Sequence, residues 1–218
     1  TPATVEVVDK NGNVKGYTFS LTKRYDKVTR ISAFVDYTYQ VTEGNSLTSG
    51  SFYYNALSGQ EEEKRIVPLA WDQRHIFNTN LSIGDPGNWN IGIISKLSSG
   101  WPYTPNIPDA NYVPQPNSGR KPWQWNLNMR IHKNFKIGKF NYILYAKVYN
   151  LMDRRNERYV YNDTGRAGYT YVFQSTQETQ GFKKHYGEPG VHSWSEYQVR
   201  PQYYTSPRSI NIGFSLDF

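Results

Sequence analysis

Apolar and polar residues alternate along the last ten residues of the chain, 209–218. The apolar positions are Ile210, Ile212, Phe214, Leu216 and Phe218. Neighbouring side chains of a β-strand point to opposite faces, so a period of two indicates a strand with one apolar and one polar face. We therefore predict a β-strand over 209–218.

The same alternation occurs in earlier parts of the chain, and no segment has the period of a long helix. The clear examples are 31–41, 123–131 and 140–148, the weaker ones are 17–21, 77–83 and 89–97, and a short segment, 4–8, precedes an Asn-Gly turn signal at 11–12. Together with the C-terminal strand, these segments predict an all-β fold with about eight antiparallel strands.

Short and long connections alternate between the predicted strands. The tight turns are 25–29, 84–88 and 136–139, and the long connections are 42–72, 99–122 and 151–207. This order predicts that all the long loops emerge at one end of the sheet. Short turns at one end and long loops at the other are typical of transmembrane β-barrels, whereas a soluble sandwich has no reason to segregate its loops.

The two predicted faces of the sheet suit different surroundings, one apolar and one aqueous. Aromatic residues stand near the strand ends of the apolar face, at Tyr17, Trp89, Trp123, Trp125, Phe135 and Phe218. The opposite face holds the residues that we predict to face a lumen, Asp36, Arg74, Lys96, Arg130 and Lys147. Four cations would be prohibitively costly in a dry core, but they are tolerated in a wet lumen. The alternative is a half-exposed antiparallel sheet whose polar face meets water.

Composition mainly excludes other classes of protein. The chain has 218 residues, a net charge of +7 and no Cys, and no apolar run approaches the roughly 20 residues of a membrane-spanning helix. The lack of Cys removes disulfides, thiolate zinc sites and Cys nucleophiles. The basic residues are dispersed, so we expect no nucleic-acid partner.

No motif of the sequence points to catalysis, so we predict that the protein is not an enzyme and needs no cofactor. A nucleophile elbow, a phosphate-binding glycine loop and a dinucleotide fingerprint are all missing from the sequence. His185, Glu188 and His192 share one loop, but their spacing fits no zinc motif and favours a solvated polar loop over a metal site.

Several segments resemble one family in their order along the chain. They are 67–75, 99–105, 119–122, 133–135, 148–156, 160–167 and 207–218. From about Lys15 onward, the chain is similar to the C-terminal barrel portion of TonB-dependent outer-membrane receptors, most of all to the large receptors of Bacteroidota-like bacteria. The most specific pieces are Asn150-Leu151-Met152-Asp153, in which Met152 stands where the family usually has Phe, and the terminal Phe218.

The resemblance implies a transmembrane β-barrel of about 22 strands in the cell outer membrane, of which residues 1–218 are the C-terminal part. The short turns would then be periplasmic and the long loops extracellular. An N-terminal plug and the remaining barrel strands would lie outside this sequence. An independent barrel of about eight strands is arithmetically feasible, but the inward cations argue against such a narrow pore.

The implied function is uptake of a nutrient such as a glycan or a siderophore. The implied partners are outer-membrane lipids and lipopolysaccharide, the missing plug and strands, TonB acting through the plug, and a surface lipoprotein. One alternative is a non-transporting outer-membrane barrel that scaffolds a cell-surface protein complex. A weaker alternative is a soluble carbohydrate-binding β-sandwich.

The long loops hold the candidate ligand-binding residues. These are the aromatic residues Trp101, Tyr103, Tyr112, Trp194 and Tyr197, whose flat rings suit stacking on sugars or heterocycles. The same rings would also serve to pack the loops against one another over the barrel mouth. Basic residues near the predicted outer rim, such as Arg154 and Arg155, are candidates for contact with lipopolysaccharide.

Overall fold

The computed structural model describes residues 3–9, 12–44, 57–59, 66–106, 114–171 and 200–217. The strands are β1 (Ala3–Asp9), β2 (Gly12–Asp26), β3 (Ile31–Gly44), β4 (Val67–Pro68), β5 (His75–Asp85), β6 (Trp89–Ser98), β7 (Pro102–Tyr103), β8 (Gly119–Arg120), β9 (Gln124–Ile137), β10 (Phe140–Tyr149) and β11 (Ser209–Asp217). One turn of 3-10 helix, Pro201–Tyr203, precedes β11.

Eight long strands form one antiparallel sheet in the order β1-β2-β3-β5-β6-β9-β10-β11. The order in space follows the order in sequence, so the sheet is a meander. The two-residue strand β4 extends the sheet beside the end of β3, while β7 and β8 pair separately. The prediction of an all-β antiparallel fold with about eight strands is confirmed. In the part of the chain that is described, β1 and β11 are the two edges of the sheet.

The connections segregate as the sequence predicts, with one exception. The tight turns 27–30, 86–88 and 138–139 lie at one end of the sheet, called here the turn end. The long connections leave from the opposite end, called the loop end. The exception is the pair of β1 and β2, whose register runs to Asp9 and Gly12 at the loop end.

Strand pairing brings the predicted apolar positions onto one face. One continuous row crosses six strands through Ala33, Leu81, Ile93, Met129, Val148 and Ile210. A row on the opposite face passes through Asp36, Asn78, Lys96 and Asn126. The register therefore places the predicted apolar positions together on one face of the sheet.

The apolar face has no second layer of protein against it among the described residues. Leu21, Ile212 and Phe214 on this face are 62%, 75% and 76% exposed. The buried hydrophobic residues of the described chain are only Val67, Leu69, Val148 and Ala167. Exposed apolar area of this extent is unfavourable in water, so the face requires an apolar solvent or a covering partner.

The turn after β2 is organised by the carboxylate of Asp26, which lies beyond the apolar part of the sheet. Its oxygens accept the backbone N–H groups of Thr29 at 3.1 Å and Val28 at 3.2 Å. These hydrogen bonds, that of Thr29 first, lower the pKa of Asp26 below its ordinary value of 3.8. Arg30 completes the turn with a positive φ of 54°.

We expect the 27–30 turn to loosen as the pH falls. The folded-state pKa of Asp26 is lower than the unfolded one, so its stabilising effect is present above the unfolded pKa and is lost as the pH falls through the folded pKa. Amide hydrogen exchange of Val28 and Thr29 measures this effect. Asp26→Asn is expected to reduce their protection at neutral pH and to remove its pH dependence, and equal protection in both proteins would contradict the assignment.

Candidate functional site

A row of aromatic rings crosses the apolar face at the loop end. The ring centroids of Tyr17 and Tyr39 are 5.4 Å apart, those of Tyr39 and His75 are 5.2 Å apart, and those of His75 and Trp123 are 5.7 Å apart. His75 also makes a 2.9 Å hydrogen bond through Nδ1 to the hydroxyl of Tyr37. The sequence predicts Tyr17 and Trp123 as edge aromatics, and the structure adds His75 as the ring that joins them. We call these residues the loop-end aromatic row.

A second set of aromatic residues stands at the turn end of the same face. The rings of Phe135 and Tyr142 are stacked, with centroids 5.4 Å apart and planes 9° from parallel. Trp89 lies opposite Asp85 and Lys133 in the register. Trp89, Phe135 and Tyr142 therefore form a turn-end aromatic row, and the apolar face has aromatic rings at both of its ends.

Between the two rows, the apolar face carries no charged side chain on the long strands β3, β5, β6, β9, β10 and β11. From β2 to β11, the charged residues that the register places on this face lie within four residues of a strand end, at Lys15, Lys23, Asp26, Glu43, Asp85 and Lys133. The polar groups in the middle of the face belong to small side chains or are hydrogen-bonded. For example, the indole N–H of Trp125 donates to the hydroxyl of Ser95 at 2.9 Å. The middle of this face is thus suited to a medium that cannot solvate charge.

The opposite face carries the predicted lumen residues. Asp36 accepts a 3.0 Å hydrogen bond from Asn78. Arg130 and Lys147 are directly opposite each other on β9 and β10, and Lys147 Nζ lies 5.5 Å from the centroid of the Tyr145 ring. Two like charges side by side are tolerated where water solvates both of them. This face is less uniformly polar than the sequence predicts, because Phe34 and Ile94 also lie on it.

Arg74, the fifth predicted lumen residue, belongs to an ion cluster at the loop end. Its partner Asp72 is fully buried. Asp72 accepts the backbone N–H of Thr42 at 2.9 Å through Oδ1 and the Nε–H of Arg74 at 3.2 Å through Oδ2. The guanidinium of Arg120 donates to the same Oδ2 and to the backbone carbonyl of Asp72. Oε1 of Glu43 lies 3.7 Å from a terminal guanidinium nitrogen of Arg74.

The ion cluster attaches the segment that contains Asp72, and β8, to the end of β3. Asp72 belongs to the connection between β3 and β5, and Arg120 belongs to β8. The sequence gives no signal for this pairing, because 48 residues separate the two partners. A buried carboxylate that accepts hydrogen bonds from two guanidinium groups is a structural centre rather than an open ligand site.

Tyr103, a predicted ligand-binding residue, is packed between two glycines. A Cβ added at Gly119 would lie 2.5 Å from the Tyr103 ring, and one added at Gly165 would meet the Tyr103 hydroxyl. Burial is the first cause that raises the pKa of Tyr103, and the charge of Asp163 is the second. These contacts favour the packing role for Tyr103 over the ligand-binding one.

Of the other four aromatic residues predicted to bind ligand, one lies within the described residues and three lie outside them. Trp101, two residues before Tyr103, is 42% exposed, so solvent reaches its ring. Tyr112, Trp194 and Tyr197 lie outside the described residues. Ligand binding by these five aromatics stays a prediction.

The structure adds an aromatic cluster whose members the sequence does not show as one unit. The ring of Tyr203 lies 5.9 Å from that of Tyr159 and 5.3 Å from that of Tyr161, between centroids. The guanidinium of Arg200 stands 5.4 Å from the Tyr203 ring, a cation–π distance. The cluster joins the two ends of the last long connection.

We expect Gly165→Ala to destabilise the loop end by about 2–4 kcal/mol, because the new Cβ clashes with Tyr103 and the backbone φ of +67° disfavours Ala. Gly59→Ala is the matched control: its φ is +66° and nothing lies within 4 Å of the new Cβ, so about 1 kcal/mol is expected. Denaturant unfolding measures both variants. Equal effects of the two substitutions would show that the Tyr103 contact contributes nothing.

Neither a membrane-crossing helix nor a metal site is found in the part of the chain that is described. None of its helices has the length and apolarity that a membrane crossing requires. Within the same residues, no group of three or more His, Asp or Glu side chains is arranged to hold a metal ion.

Comparisons with protein-family models, with curated proteins and with solved structures give no match for this chain.

Proposed function

We propose that this chain forms part of the wall of an outer-membrane β-barrel, and that the barrel belongs to an uptake receptor of the TonB-dependent type. The observation that carries the proposal is the apolar face, which is uncovered among the described residues, has no charge in its middle from β3 to β11, and ends in an aromatic row on both sides. Lipid suits such a face, because barrels in outer membranes present an apolar band bordered by aromatic residues.

The height of the apolar face matches the thickness of the apolar part of a membrane. Strand β5 runs for 11 residues from His75, in the loop-end row, to Asp85, which pairs with Trp89 of the turn-end row. That length corresponds to about 35 Å of strand, and a tilt of about 45° reduces it to a height of about 25 Å. The apolar band of an outer-membrane barrel has about the same height.

The polar face and the loops support a role in uptake. Lys96, Arg130 and Lys147 would line an aqueous interior, where their charges attract anionic groups of a solute or of a plug domain. The long connections share the loop end, and the exposed ring of Trp101 there suits stacking on a sugar or a heterocycle. The resemblance of the sequence adds the expected partners: the plug, the other strands, TonB and a surface lipoprotein.

Fluorescence quenching of the full-length protein tests the wall. We expect brominated acyl chains in vesicles to quench Trp89 and Trp125, and aqueous iodide to quench Trp101. The variants W89F, W125F and W101F, measured one at a time, assign each component. If iodide reached all the tryptophans while bromine quenched none, or if the protein stayed monodisperse without detergent, the soluble sandwich would replace this proposal.

Growth of a deletion strain tests uptake separately from the wall. We expect loss of growth on one class of glycan or siderophore, restored by the wild-type gene only in cells that contain TonB. Unchanged uptake, together with loss of a surface complex that normally co-purifies with the barrel, would favour the scaffold instead.

A further inference from the structure

Two cations lie directly opposite each other on the polar face, halfway along β9. Arg130 of β9 pairs with Lys147 of β10 in the strand register. Side chains in such a cross-strand pair have Cβ atoms about 5 Å apart, and like charges at that separation are destabilising. Neither side chain has an ion-pair partner among the described residues. The pair therefore concentrates two uncompensated positive charges at one place on the polar face.

The positions that surround the pair on the same face hold no acidic residue. They are Gly92 and Asn211 in the same register row, and Asn128, His132, Tyr145 and Tyr149 one step along the two strands. Asp36 lies on this face three strands away from Arg130 and is hydrogen-bonded to Asn78. No neighbouring carboxylate thus neutralises the pair, and an anion from outside the sheet would do so.

The ammonium of Lys147 is oriented by an aromatic ring. A Cβ added at Gly213 would lie 2.5 Å from the hydroxyl of Tyr145, so the Tyr145 side chain extends over this glycine on the neighbouring strand β11. The ammonium of Lys147 lies 5.5 Å from the centroid of the same ring. A cation–π contact orients an ammonium without neutralising its charge. The charge of Lys147 therefore stays available to an anion.

There is room for a ligand beside Arg130. Its register neighbour on β6 is Gly92, and the atoms nearest to a Cβ added at Gly92 are 3.9 Å away from it. The next residue in the same row is the small Ser82, whose hydroxyl accepts a 2.7 Å hydrogen bond from Asn90. The missing side chain at position 92 leaves open space next to the guanidinium, into which the body of a solute can extend.

We infer that Arg130 and Lys147 bind a phosphate monoester group of the solute that the barrel takes up. A guanidinium matches two phosphate oxygens with parallel N–H donors, and an ammonium adds a point charge beside them. A phosphate monoester carries a charge of about −1.5 to −2 at neutral pH, which balances two cations, whereas a carboxylate carries a single charge. The inference rests on the proposed function, because it needs the polar face to line the uptake pathway.

Binding of glucose 6-phosphate to the full-length protein in detergent tests the site. Calorimetric titration at fixed ionic strength measures the dissociation constant. We expect Arg130→Gln with Lys147→Gln to raise it about tenfold or more, because both charge-assisted contacts are lost. The double variant removes a like-charge pair, so it is expected to fold at least as well as the wild type. An unchanged dissociation constant would overturn the site.

The matched control is Lys136→Gln with Lys139→Gln. It makes the same change in net charge, but Lys136 lies six residues further along β9 and Lys139 lies in the turn 138–139. We expect this variant to bind glucose 6-phosphate as the wild type does. Equal weakening in both double variants would show that only the net charge attracts the ligand, and the specific site at Arg130 and Lys147 would then be wrong.

Gly92→Phe tests where the solute lies, without any change of charge. The new ring would fill the space beside Arg130, so we expect it to weaken binding of glucose 6-phosphate about tenfold. Inorganic phosphate, which has no body to accommodate, is expected to bind as before. The same response to both ligands would overturn the placement of the solute over Gly92.

An acidic side chain from another part of the full-length protein is the second source of an anion for this pair. In that case the wild type would bind neither glucose 6-phosphate nor inorganic phosphate, and Arg130→Gln with Lys147→Gln would lower the unfolding temperature. That result would assign the pair to an internal ion cluster and overturn the solute site. We expect instead that glucose 6-phosphate raises the unfolding temperature of the wild type and not that of the double variant.

Extraction of vesicles with alkaline carbonate, measured first, separates this inference from the proposed function. A protein that stays in the membrane, and whose double variant binds glucose 6-phosphate as tightly as the control, overturns the phosphate site and leaves the wall intact. A protein that the carbonate extracts overturns the wall, and with it the assignment of the ligand as an imported solute.

Discussion

Replacing Ile93 by Lys is expected to destabilise the protein in lipid vesicles by about 2–4 kcal/mol, the cost of a lysine that faces the middle of a bilayer. Ile93 lies on the apolar face, in the register row between Leu81 and Met129, midway between the two aromatic rows. Its side chain has no polar partner there, so the ammonium would have to displace lipid or distort the wall.

The same substitution one residue later gives the control. Ile94 points to the opposite face, between Asn80 and Asn128 in the register, and its side chain is 56% exposed. We expect Ile94→Lys to change the unfolding free energy by less than about 1 kcal/mol. Denaturant titration of both full-length variants in vesicles measures the difference. Equal destabilisation would mean that the two faces meet the same solvent, which contradicts the proposed wall.

Replacing Asp72 by Asn is expected to cost about 3–5 kcal/mol, because it removes the charge that compensates two partly buried arginines. The side chains of Arg74 and Arg120 are 36% and 31% exposed, while that of Asp72 is 0% exposed. An amide at position 72 keeps one acceptor oxygen, but its NH₂ group brings N–H donors toward groups that are themselves donors. The 66–74 segment and β8 are expected to separate from the end of β3.

Glu43→Gln is the matched control for Asp72→Asn. Glu43 also pairs with Arg74, but its side chain is 41% exposed, so less than about 1 kcal/mol is expected. Hydrogen exchange over residues 66–74 and 119–120 reports local opening, and denaturant unfolding reports the total effect. Similar protection in the two variants would show that Asp72 is not the centre that holds the loops.

The sequence predicts the long strands well and the loop elements poorly. The alternation in 209–218 and 123–131 is regular enough to predict β11 and most of β9, and the pairing of the strands follows from their order. Strand β2 extends from Gly12 to Asp26, well beyond the predicted 17–21, because pairing with β3 continues where the alternation is weak. Two-residue strands such as β7 are too short to show any period.

The same difference between local and long-range features applies to the candidate site residues. The register supports the predicted faces of Asp36, Lys96, Arg130 and Lys147, because side-chain direction in a strand is a local property. The partners of Asp72 and the glycines around Tyr103 were not predicted. Each contact joins segments that are far apart in the sequence, and nothing local marks one partner for the other.

The contact between Lys133 and Asn88 at the turn end was also beyond prediction from the sequence. The tight turn at 86–88 and the β9–β10 hairpin are each predicted as turns, but their meeting depends on how β6 pairs with β9. That register places Lys133 beside Trp89, next to the turn that contains Asn88. A shift of two residues in this pairing would keep both faces of the sheet but would separate Lys133 from Asn88.

The sequence by itself determined the strands, their two faces and the end from which the long loops leave, because a period of two and the position of turn residues are local properties of the chain. Only the tertiary structure decided which side chains meet: Asp72 with Arg120, Tyr103 with Gly165, and Lys133 with Asn88. These contacts depend on loop closure and on strand register, which involve the whole sheet at once.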